Sequence, residues 1–221
     1  MSEKIQTLNN YLQTMCDCHS PPSTFMMHHS NFYTPIVIDD RVSYEGTRKH
    51  LEQFRFDYID VKDKTVCDLG CNNGYSSFLF AERGAKKVLG IEKDPQTGKV
   101  LQLVADIKNL PNVETYIGTY QEYFTKNKNE VFDVAVFTSE QDYKGICIVL
   151  DCLFNPDEYS INAKTWYIEP TNHPDHKLSK DEIKEWGETE LSVYGDVEFL
   201  TFTDYQNRGL FKLEIKDELY K

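Results

Sequence analysis

The chain has 221 residues, with 36 acidic residues against 24 basic ones and a formal net charge of −12. This length predicts one principal domain with a smaller additional segment. A surface this acidic repels phosphate backbones, which disfavours extended binding of nucleic acid.

Neither membrane insertion nor secretion is indicated. No apolar run approaches the length needed to cross a bilayer, and the first six residues do not resemble a signal peptide. The six cysteines are Cys16, Cys18, Cys67, Cys71, Cys147 and Cys152. Their positions suit reduced intracellular thiols better than a disulfide framework. We therefore expect a cytoplasmic protein without membrane association.

Potential metal ligands lie near the N-terminus, where Cys16, Cys18 and His19 are followed by His28 and His29. Their spacing matches no common zinc pattern, and no second close cysteine pair follows. We expect no metal site.

The first 59 residues are predicted to form a helical segment in front of the principal domain, which we place at residues 60–221. Ile5, Leu8 and Leu12 recur at helical spacing and predict an amphipathic helix. That helix either packs on the core or forms a lid over the substrate.

The stretch Thr65–Ser77 predicts a buried strand that breaks into a tight turn and then opens a helix. Val66, Cys67 and Leu69 suit a strand covered on both faces. Asp68 places a carboxylate at the end of this strand, where it could accept hydrogen bonds from a ligand.

The turn itself is bracketed by Gly70 and Gly74, where the backbone must bend sharply or let a ligand approach closely. Asn72 and Asn73 lie between them, and asparagine tolerates positive φ better than other non-glycine residues. The helix that follows is expected to end near Gly84.

A second strand, Lys87–Ile91, leads directly to Glu92. This acid stands about twenty residues past the glycine turn, the spacing at which an acid reaches the hydroxyls of a bound ribose. Asp94 and Pro95 then supply an N-cap and a first-turn proline for the next helix.

The pattern Asp68-x-Gly70-x-x-x-Gly74, followed by a strand and Glu92, resembles the cofactor site of class I S-adenosylmethionine-dependent methyltransferases. Asn72 replaces the middle glycine of the commonest loop. The Gly-Cys-Asn-x-Gly subset, often seen in small-molecule and tRNA-wobble-uridine methyltransferases, fits better. The alternative is a doubly wound domain whose glycines serve only packing.

The resemblance implies that the loop Asp68–Gly74 holds the methionine part of S-adenosylmethionine and that Glu92 holds its ribose. Arg48, which precedes a helix predicted at about Lys49 to Tyr58, could pair with the methionine carboxylate or be an exposed structural arginine. The implied cofactor-binding residues are Arg48, Asp68, Gly70, Cys71, Asn72, Gly74, Tyr75, Glu92, Gly118, Thr119 and Thr138.

A third strand is predicted at Val113–Ile117, and Gly118 and Thr119 close it. In the family, the residues after this strand commonly approach the adenine, and an acid is frequent where Thr119 stands. A threonine hydroxyl or a backbone N–H could serve instead. The turn could equally be an ordinary strand-to-helix connection.

The fourth strand, Val131–Phe137, is nearly continuous in apolar residues, which predicts a central position. The loop Thr138–Tyr143 follows its C-terminal end, where ligands of open α/β sheets bind. Glu140 and Asp142 could act as a general base on an acceptor O–H or N–H. They could also be solvated loop acids or a helix cap.

The fifth strand is predicted at Thr165–Glu169 and ends at Pro170. Glu169, His173 and His176 then form an acid and imidazole cluster. His173 could take a proton from the acceptor, or the cluster could bind a metal. The alternative is a polar loop with surface histidines.

Two alternating strands are predicted near the C-terminus, at Asp196–Thr203 and Leu210–Ile215. Together with the resemblance, they predict an α/β, Rossmann-like doubly wound sheet of seven mostly parallel strands with an antiparallel C-terminal strand.

The predicted function is methyl transfer from S-adenosylmethionine to a small or medium-sized acceptor, most simply at oxygen or nitrogen. One alternative is a tRNA-modifying methyltransferase, against which the acidity of the chain argues. Another is a cofactor-binding partner subunit without chemistry of its own.

Overall fold

The computed structural model describes residues 3–17, 34–38, 41–44, 53–154, 161–172, 175, 177–203 and 206–217. The described helices are α1 (Glu3–Asp17), α2 (Gln53–Phe56), α3 (Tyr75–Glu82), α4 (Pro95–Lys108), α5 (Tyr120–Lys126), α6 (Gly145–Phe154), α7 (Lys180–Glu190) and a 3₁₀ turn (Leu191–Val193). The described strands are β1 (Ile36–Ile38), β2 (Arg41–Tyr44), β3 (Thr65–Leu69), β4 (Lys87–Glu92), β5 (Val113–Ile117), β6 (Val131–Asp142), β7 (Asn162–Thr171), β8 (Gly195–Phe202) and β9 (Gly209–Ile215).

Seven strands form one sheet in the order β5-β4-β3-β6-β7-β9-β8. Strands β3 to β7 pair in parallel, whereas β9 is antiparallel to both β7 and β8. The predicted α/β fold, with its seven strands and antiparallel C-terminal strand, is confirmed. The chain leaves β3 toward β4 and β5 and returns on the other side as β6, so the strand order reverses beside β3, where ligands of such sheets bind.

The centre of the sheet is buried on both faces, where β6 is continuously apolar over Val134–Phe137 and β3 contributes Val66, Cys67 and Leu69. Val66 and Val134 pack on one face with Phe80. Cys67 and Phe137 pack on the other, and each is at most 1% exposed. Burial on both faces requires near-continuous apolar residues, as the sequence of these strands provides.

The described part of the N-terminal segment packs against the domain. Leu8 of α1 is fully buried in a cluster with Ile36, Phe78 and Leu101. For α1, the structure therefore shows the helix packed on the core, the first of the two alternatives that its amphipathic pattern allowed.

The glycine turn at Asp68–Gly74 is tied to this N-terminal segment by two hydrogen bonds. Thr34 Oγ1 donates to Asn73 Oδ1 at 2.5 Å, and Asn73 Nδ2 donates to the carbonyl oxygen of Thr34 at 2.9 Å. Both residues are buried. The two asparagines of the turn thus have different roles, because only Asn72 takes positive φ.

The ends of two strands differ from the predictions. β6 continues through Thr138–Asp142, which the sequence predicted as a loop, because a bulge changes its pairing with β7 in this stretch. Pro170 lies inside β7 instead of ending it. Its missing N–H is tolerated there because the pairing of β7 with β9 ends at Ile168, two residues earlier.

The predicted helix at about Lys49 to Tyr58 ends earlier than predicted, and its residues 49–52 lie outside the described part of the chain. The structure gives α2 as Gln53–Phe56, and Asp57 and Tyr58 form a turn.

Candidate cofactor site at the strand ends

Asp68 fixes the start of α3. Its Oδ2 accepts hydrogen bonds from Ser76 Oγ and Ser77 Oγ, both at 2.6 Å. The residue is 2% exposed, and this burial raises the pKa of its carboxyl although the two serines oppose the change. The carboxylate at the end of β3 thus holds the glycine turn against the helix that follows.

The turn between β3 and α3 uses left-handed backbone at three positions. Gly70, Asn72 and Gly74 have φ of +69°, +55° and +88°. Gly74 has a second constraint, because a Cβ there would lie 2.7 Å from Cε2 of Phe78 and still closer to Leu101. Glycine is therefore required at position 74 by backbone conformation and by packing together.

Glu92 joins the turn to the end of β4. Its Oε2 accepts a hydrogen bond from the backbone N–H of Asn72 at 3.0 Å, and its Oε1 accepts one from the N–H of Asp94 at 2.8 Å. Burial raises the pKa of the Glu92 carboxyl, and the two backbone donors partly offset this effect. Asp94 itself caps α4 by accepting from the N–H of Thr97 at 2.7 Å, as predicted.

A cavity of about 240 Å³ opens where the ends of β3, β4, β5 and β6 meet. Four predicted cofactor residues line it: Gly70, Glu92, Gly118 and Thr119. The sequence analysis missed other lining residues, namely Ile91, Lys93, Tyr120, Gln121 and Gln141. Their only signal in the sequence is their position directly beside the predicted strand ends.

The chemistry of Glu92 fits a ribose. Each oxygen of an ionised carboxylate can accept two hydrogen bonds, and each Glu92 oxygen accepts one from a backbone N–H. Both oxygens can therefore accept a further bond, which matches two neighbouring hydroxyl groups of one sugar. The same carboxylate can thus hold the turn and a ligand at once.

Among the other residues predicted for the cofactor, those that the structure describes do not line this cavity. Cys71 is buried under the turn beside Phe78, and its backbone N–H donates to the carbonyl oxygen of Ile91 at 3.0 Å. Tyr75, which begins α3, lines a different cavity with Pro35. Thr138 pairs with Glu169 across β6 and β7. Arg48 lies outside the described residues.

Thr119 caps α5. Its Oγ1 accepts from the N–H of Glu122 at 3.2 Å, and its own N–H donates to Glu122 Oε2 at 2.9 Å. These bonds form a capping box, as expected if the turn is an ordinary strand-to-helix connection. Gly118 and Thr119 nevertheless line the cavity.

Asp142 also caps a helix in the structure. Its Oδ1 accepts hydrogen bonds from the N–H groups of Lys144 at 3.1 Å and Gly145 at 2.7 Å, at the start of α6. Glu140 lies in β6, but the structure does not describe its side chain. His173 and His176 lie outside the described residues. Asp142 is therefore the one predicted proton acceptor whose side chain can be located.

A buried ionic cluster that the sequence did not predict lies at the C-terminal ends of β6 and β7. Arg55 Nη1 donates to both carboxylate oxygens of Glu169 at 2.8 and 2.9 Å, and Arg208 Nη1 lies 3.3 Å from Oε1. Ser139 Oγ accepts from Arg55 at 3.0 Å and from Arg208 at 2.6 Å. Ser139 has a φ of +65°, which is rare for serine.

This cluster changes the interpretation of Glu169. The sequence grouped it with His173 and His176, whereas the structure pairs it with two arginines that are distant in sequence. Within the described ranges, no group of three or more histidine, cysteine, aspartate or glutamate side chains could hold a metal ion. No helix among the described residues is long and apolar enough to span a membrane.

A family model described as a methyltransferase domain matches residues 60–167. Among curated proteins, the ribosomal protein L11 methyltransferase of Colwellia psychrerythraea is 39% identical over 69 residues, covering 31% of this chain and 24% of the relative. The tRNA U34 carboxymethyltransferase of Aliarcobacter butzleri is 29% identical over 89 residues, covering 40% of this chain and 29% of the relative. The chain thus spans less than a third of either relative.

Solved structures share the fold at low identity. The bifunctional kinase-methyltransferase WbdD superposes with a TM-score of 0.58 at 16% identity, covering 87% of this chain and 46% of that one. A protein of the NADB-Rossmann superfamily from Streptococcus agalactiae gives a TM-score of 0.53 at 13% identity, covering 74% and 66%. Residues 60–167 are thus a class I S-adenosylmethionine-dependent methyltransferase domain, which implies S-adenosylmethionine as the cofactor.

Proposed function

We propose that this chain transfers the methyl group of S-adenosylmethionine to an oxygen or nitrogen of a small or medium-sized acceptor. The observation that carries the proposal is the position of the Glu92 carboxylate. It lines the cavity at the strand ends and is bonded to the glycine turn through Asn72.

The cofactor supplies a methyl group on a positively charged sulfur, which a nucleophile can displace directly. The residues of the chain then act mainly by positioning. We assign the turn from Asp68 to Gly74 to the methionine part and Glu92 to the ribose hydroxyls. Gly118 and Thr119 supply cavity lining for the adenine. The remaining members of the proposed cofactor set are Arg48, Tyr75 and Thr138.

Proton transfer from the acceptor is assigned to the acids and the imidazole that follow β6 and β7. Asp142 keeps a second carboxylate oxygen beside the one that caps α6, so it can accept a proton while the cap is retained. Glu140 and His173 complete the proposed set. A base is required only when the acceptor keeps its proton at neutral pH.

The net charge of −12 supports a small acceptor over an extended nucleic acid. The alternative of a tRNA substrate is favoured by one relative, the tRNA U34 carboxymethyltransferase. The second alternative, a partner subunit that binds cofactor without chemistry, would need a complex in which another chain acts.

The test is label transfer from S-adenosylmethionine carrying a tritiated methyl group, with Glu92→Ala as the negative control. A cell extract is separated into small metabolites, protein and RNA, and each fraction is offered to the intact chain. We expect label in the small-metabolite fraction, lost with Glu92→Ala. Label only in RNA, falling steeply with added salt, would establish the tRNA alternative and overturn the small acceptor. Label in no fraction would overturn catalysis by the chain alone.

A further inference from the structure

A second cavity, of about 380 Å³, lies at the C-terminal ends of β6 and β7. Asp142 and Tyr143 border it from the end of β6, and Thr171 borders it from the end of β7. Cys147 of α6 and Trp186 of α7 form its sides. Its volume is that of a pocket for a small organic molecule.

Two aromatic side chains give this cavity a rigid wall. The rings of Tyr143 and Trp186 meet edge to face, with centroids 4.9 Å apart. Trp186 also packs on Phe211, at 5.7 Å between centroids. The hydroxyl oxygen of Tyr143 accepts a hydrogen bond from the N–H of Gly209 at 3.0 Å. Both rings are therefore held before any ligand enters, which reduces the entropy cost of binding.

The remaining lining sets the polarity of the cavity. Leu178 adds apolar surface. Burial raises the pKa of the Cys147 thiol to about 11, so this side chain stays neutral at physiological pH. Lys144 and Glu190 are exposed residues of opposite charge. Asp142 and Thr171 are the remaining polar lining residues, and of these two Asp142 carries a carboxylate.

Adjacent residues border this cavity and the cofactor cavity. Gln141 lines the cavity that contains Glu92, whereas Asp142 and Tyr143 line the aromatic one. Gly145 stands beside both side chains: a Cβ there would lie 2.9 Å from Gln141 Oε1 and 3.2 Å from Asp142 Oδ1. The two cavities thus border consecutive residues at the end of β6, so Asp142 is the direct chain neighbour of a residue that lines the cofactor cavity.

We propose that the aromatic cavity binds the acceptor, and that the acceptor is a small planar aromatic molecule with a ring hydroxyl or amino group directed at Asp142. This inference rests on the proposed function. A flat ring gains burial and edge-to-face contacts against Tyr143 and Trp186. The acceptor oxygen or nitrogen forms a bond to the methyl carbon, the carbon–sulfur bond breaks with its electron pair on sulfur, and the acceptor proton passes to Asp142.

The test uses 2-naphthol as the planar probe and decahydro-2-naphthol as its saturated, non-planar control. Calorimetry gives the affinity of each probe. Protection of Cys147 from iodoacetamide, applied at pH 9 so that part of this thiol ionises despite its raised pKa, and mapped to its peptide by mass spectrometry, gives the location. We expect 2-naphthol to bind and to protect Cys147, and the saturated alcohol to do neither at the same concentration.

Two substitutions sharpen the result. Trp186→Leu should weaken 2-naphthol at least about tenfold, because it removes an aromatic contact and buried area. Phe199→Leu is the matched control, since Phe199 also packs on Phe211, at 5.5 Å, but is outside the described lining. Its affinity for 2-naphthol should stay within about twofold of the intact chain.

S-adenosylhomocysteine is titrated into the same samples to separate the two proposals. An intact chain that binds S-adenosylhomocysteine but shows no protection by 2-naphthol, or equal protection by both alcohols, overturns the aromatic acceptor alone. Failure to bind S-adenosylhomocysteine overturns the proposed function. Because the two alcohols are compared on the intact chain, the inference remains falsifiable even if Trp186→Leu does not fold.

Discussion

The Glu92 carboxylate accepts a hydrogen bond from the backbone N–H of Asn72 at 3.0 Å, so the acid that ends β4 and the turn that ends β3 form one unit. Asn72 holds a φ of +55° at this contact. A change in the charge of Glu92 therefore affects the conformation of the turn as well as the lining of the cavity. We therefore expect the cofactor affinity to depend on pH.

Affinity for S-adenosylhomocysteine should fall as the pH is lowered, beginning at a higher pH than for an ordinary glutamate. Burial raises the pKa of Glu92, and only the ionised carboxylate accepts bonds at both oxygens. Calorimetric titrations across a pH series measure this. Glu92→Gln should flatten the dependence, and Glu82→Gln, an exposed control on α3, should keep it. An unchanged pH profile in Glu92→Gln would refute the assignment.

Gly74→Ala should destabilise the fold more than Gly84→Ala does. The two glycines have nearly the same φ, +88° and +89°. A Cβ at position 84 would meet only Lys62 Cγ at 3.8 Å, whereas at position 74 it would clash with Phe78 and Leu101. We expect the free energy of unfolding to fall by about 1–2 kcal/mol in Gly84→Ala, from backbone strain alone. In Gly74→Ala it should fall by about 2–5 kcal/mol, because the clash adds to this strain. Urea unfolding gives both values, and equal losses would contradict the packing argument.

Glu169→Ala should lower the free energy of unfolding by about 3–5 kcal/mol, because it removes the carboxylate that two buried arginines contact. Asp60→Ala is the control: its pair with Lys64 is exposed, and such pairs contribute about 0–1 kcal/mol. Urea unfolding at one pH measures both changes. A loss of less than 1 kcal/mol in Glu169→Ala would show that the cluster does not hold the ends of β6 and β7 together.

Two substitutions, Ser139→Ala and Ser139→Gly, distinguish the effect of the lost hydroxyl on stability from the effect of the strained backbone. Both remove the oxygen that accepts from Arg55 and Arg208, but only glycine relieves the positive φ of +65°. We expect Ser139→Ala to be less stable than Ser139→Gly by about 1–2 kcal/mol. If thermal and urea unfolding rank the two variants equally, the strain at this bulge is negligible.

Much of the cofactor side could be predicted because its signals are local in sequence. The turn residues Gly70 and Gly74, the cap at Asp94 and the acid at Glu92 each act through neighbours a few residues away or through a fixed strand spacing. Local backbone geometry and hydrophobic periodicity carry this information directly.

The ionic cluster could not be predicted, because Arg55, Ser139, Glu169 and Arg208 meet only after four separate segments have folded. A lone arginine in sequence is most simply an exposed one. The extension of β6 through Asp142 has the same origin, since the bulge at Ser139 depends on partners 84 and 69 residues away. Tertiary contacts therefore decide the geometry at the ends of β6 and β7, whereas local sequence decides the glycine turn and the residues beside it.

The most direct test of the central claim is calorimetric titration of S-adenosylhomocysteine into the intact chain, Glu92→Ala and Glu114→Ala. Glu114 is an exposed acid on neighbouring β5 and serves as the control. We predict binding by the intact chain and by Glu114→Ala, and affinity at least about tenfold weaker in Glu92→Ala, because bonds to a charged acceptor are lost. Equal affinity in all three, or no binding by a folded intact chain, would contradict the assignment of the cofactor site to Glu92 and the glycine turn.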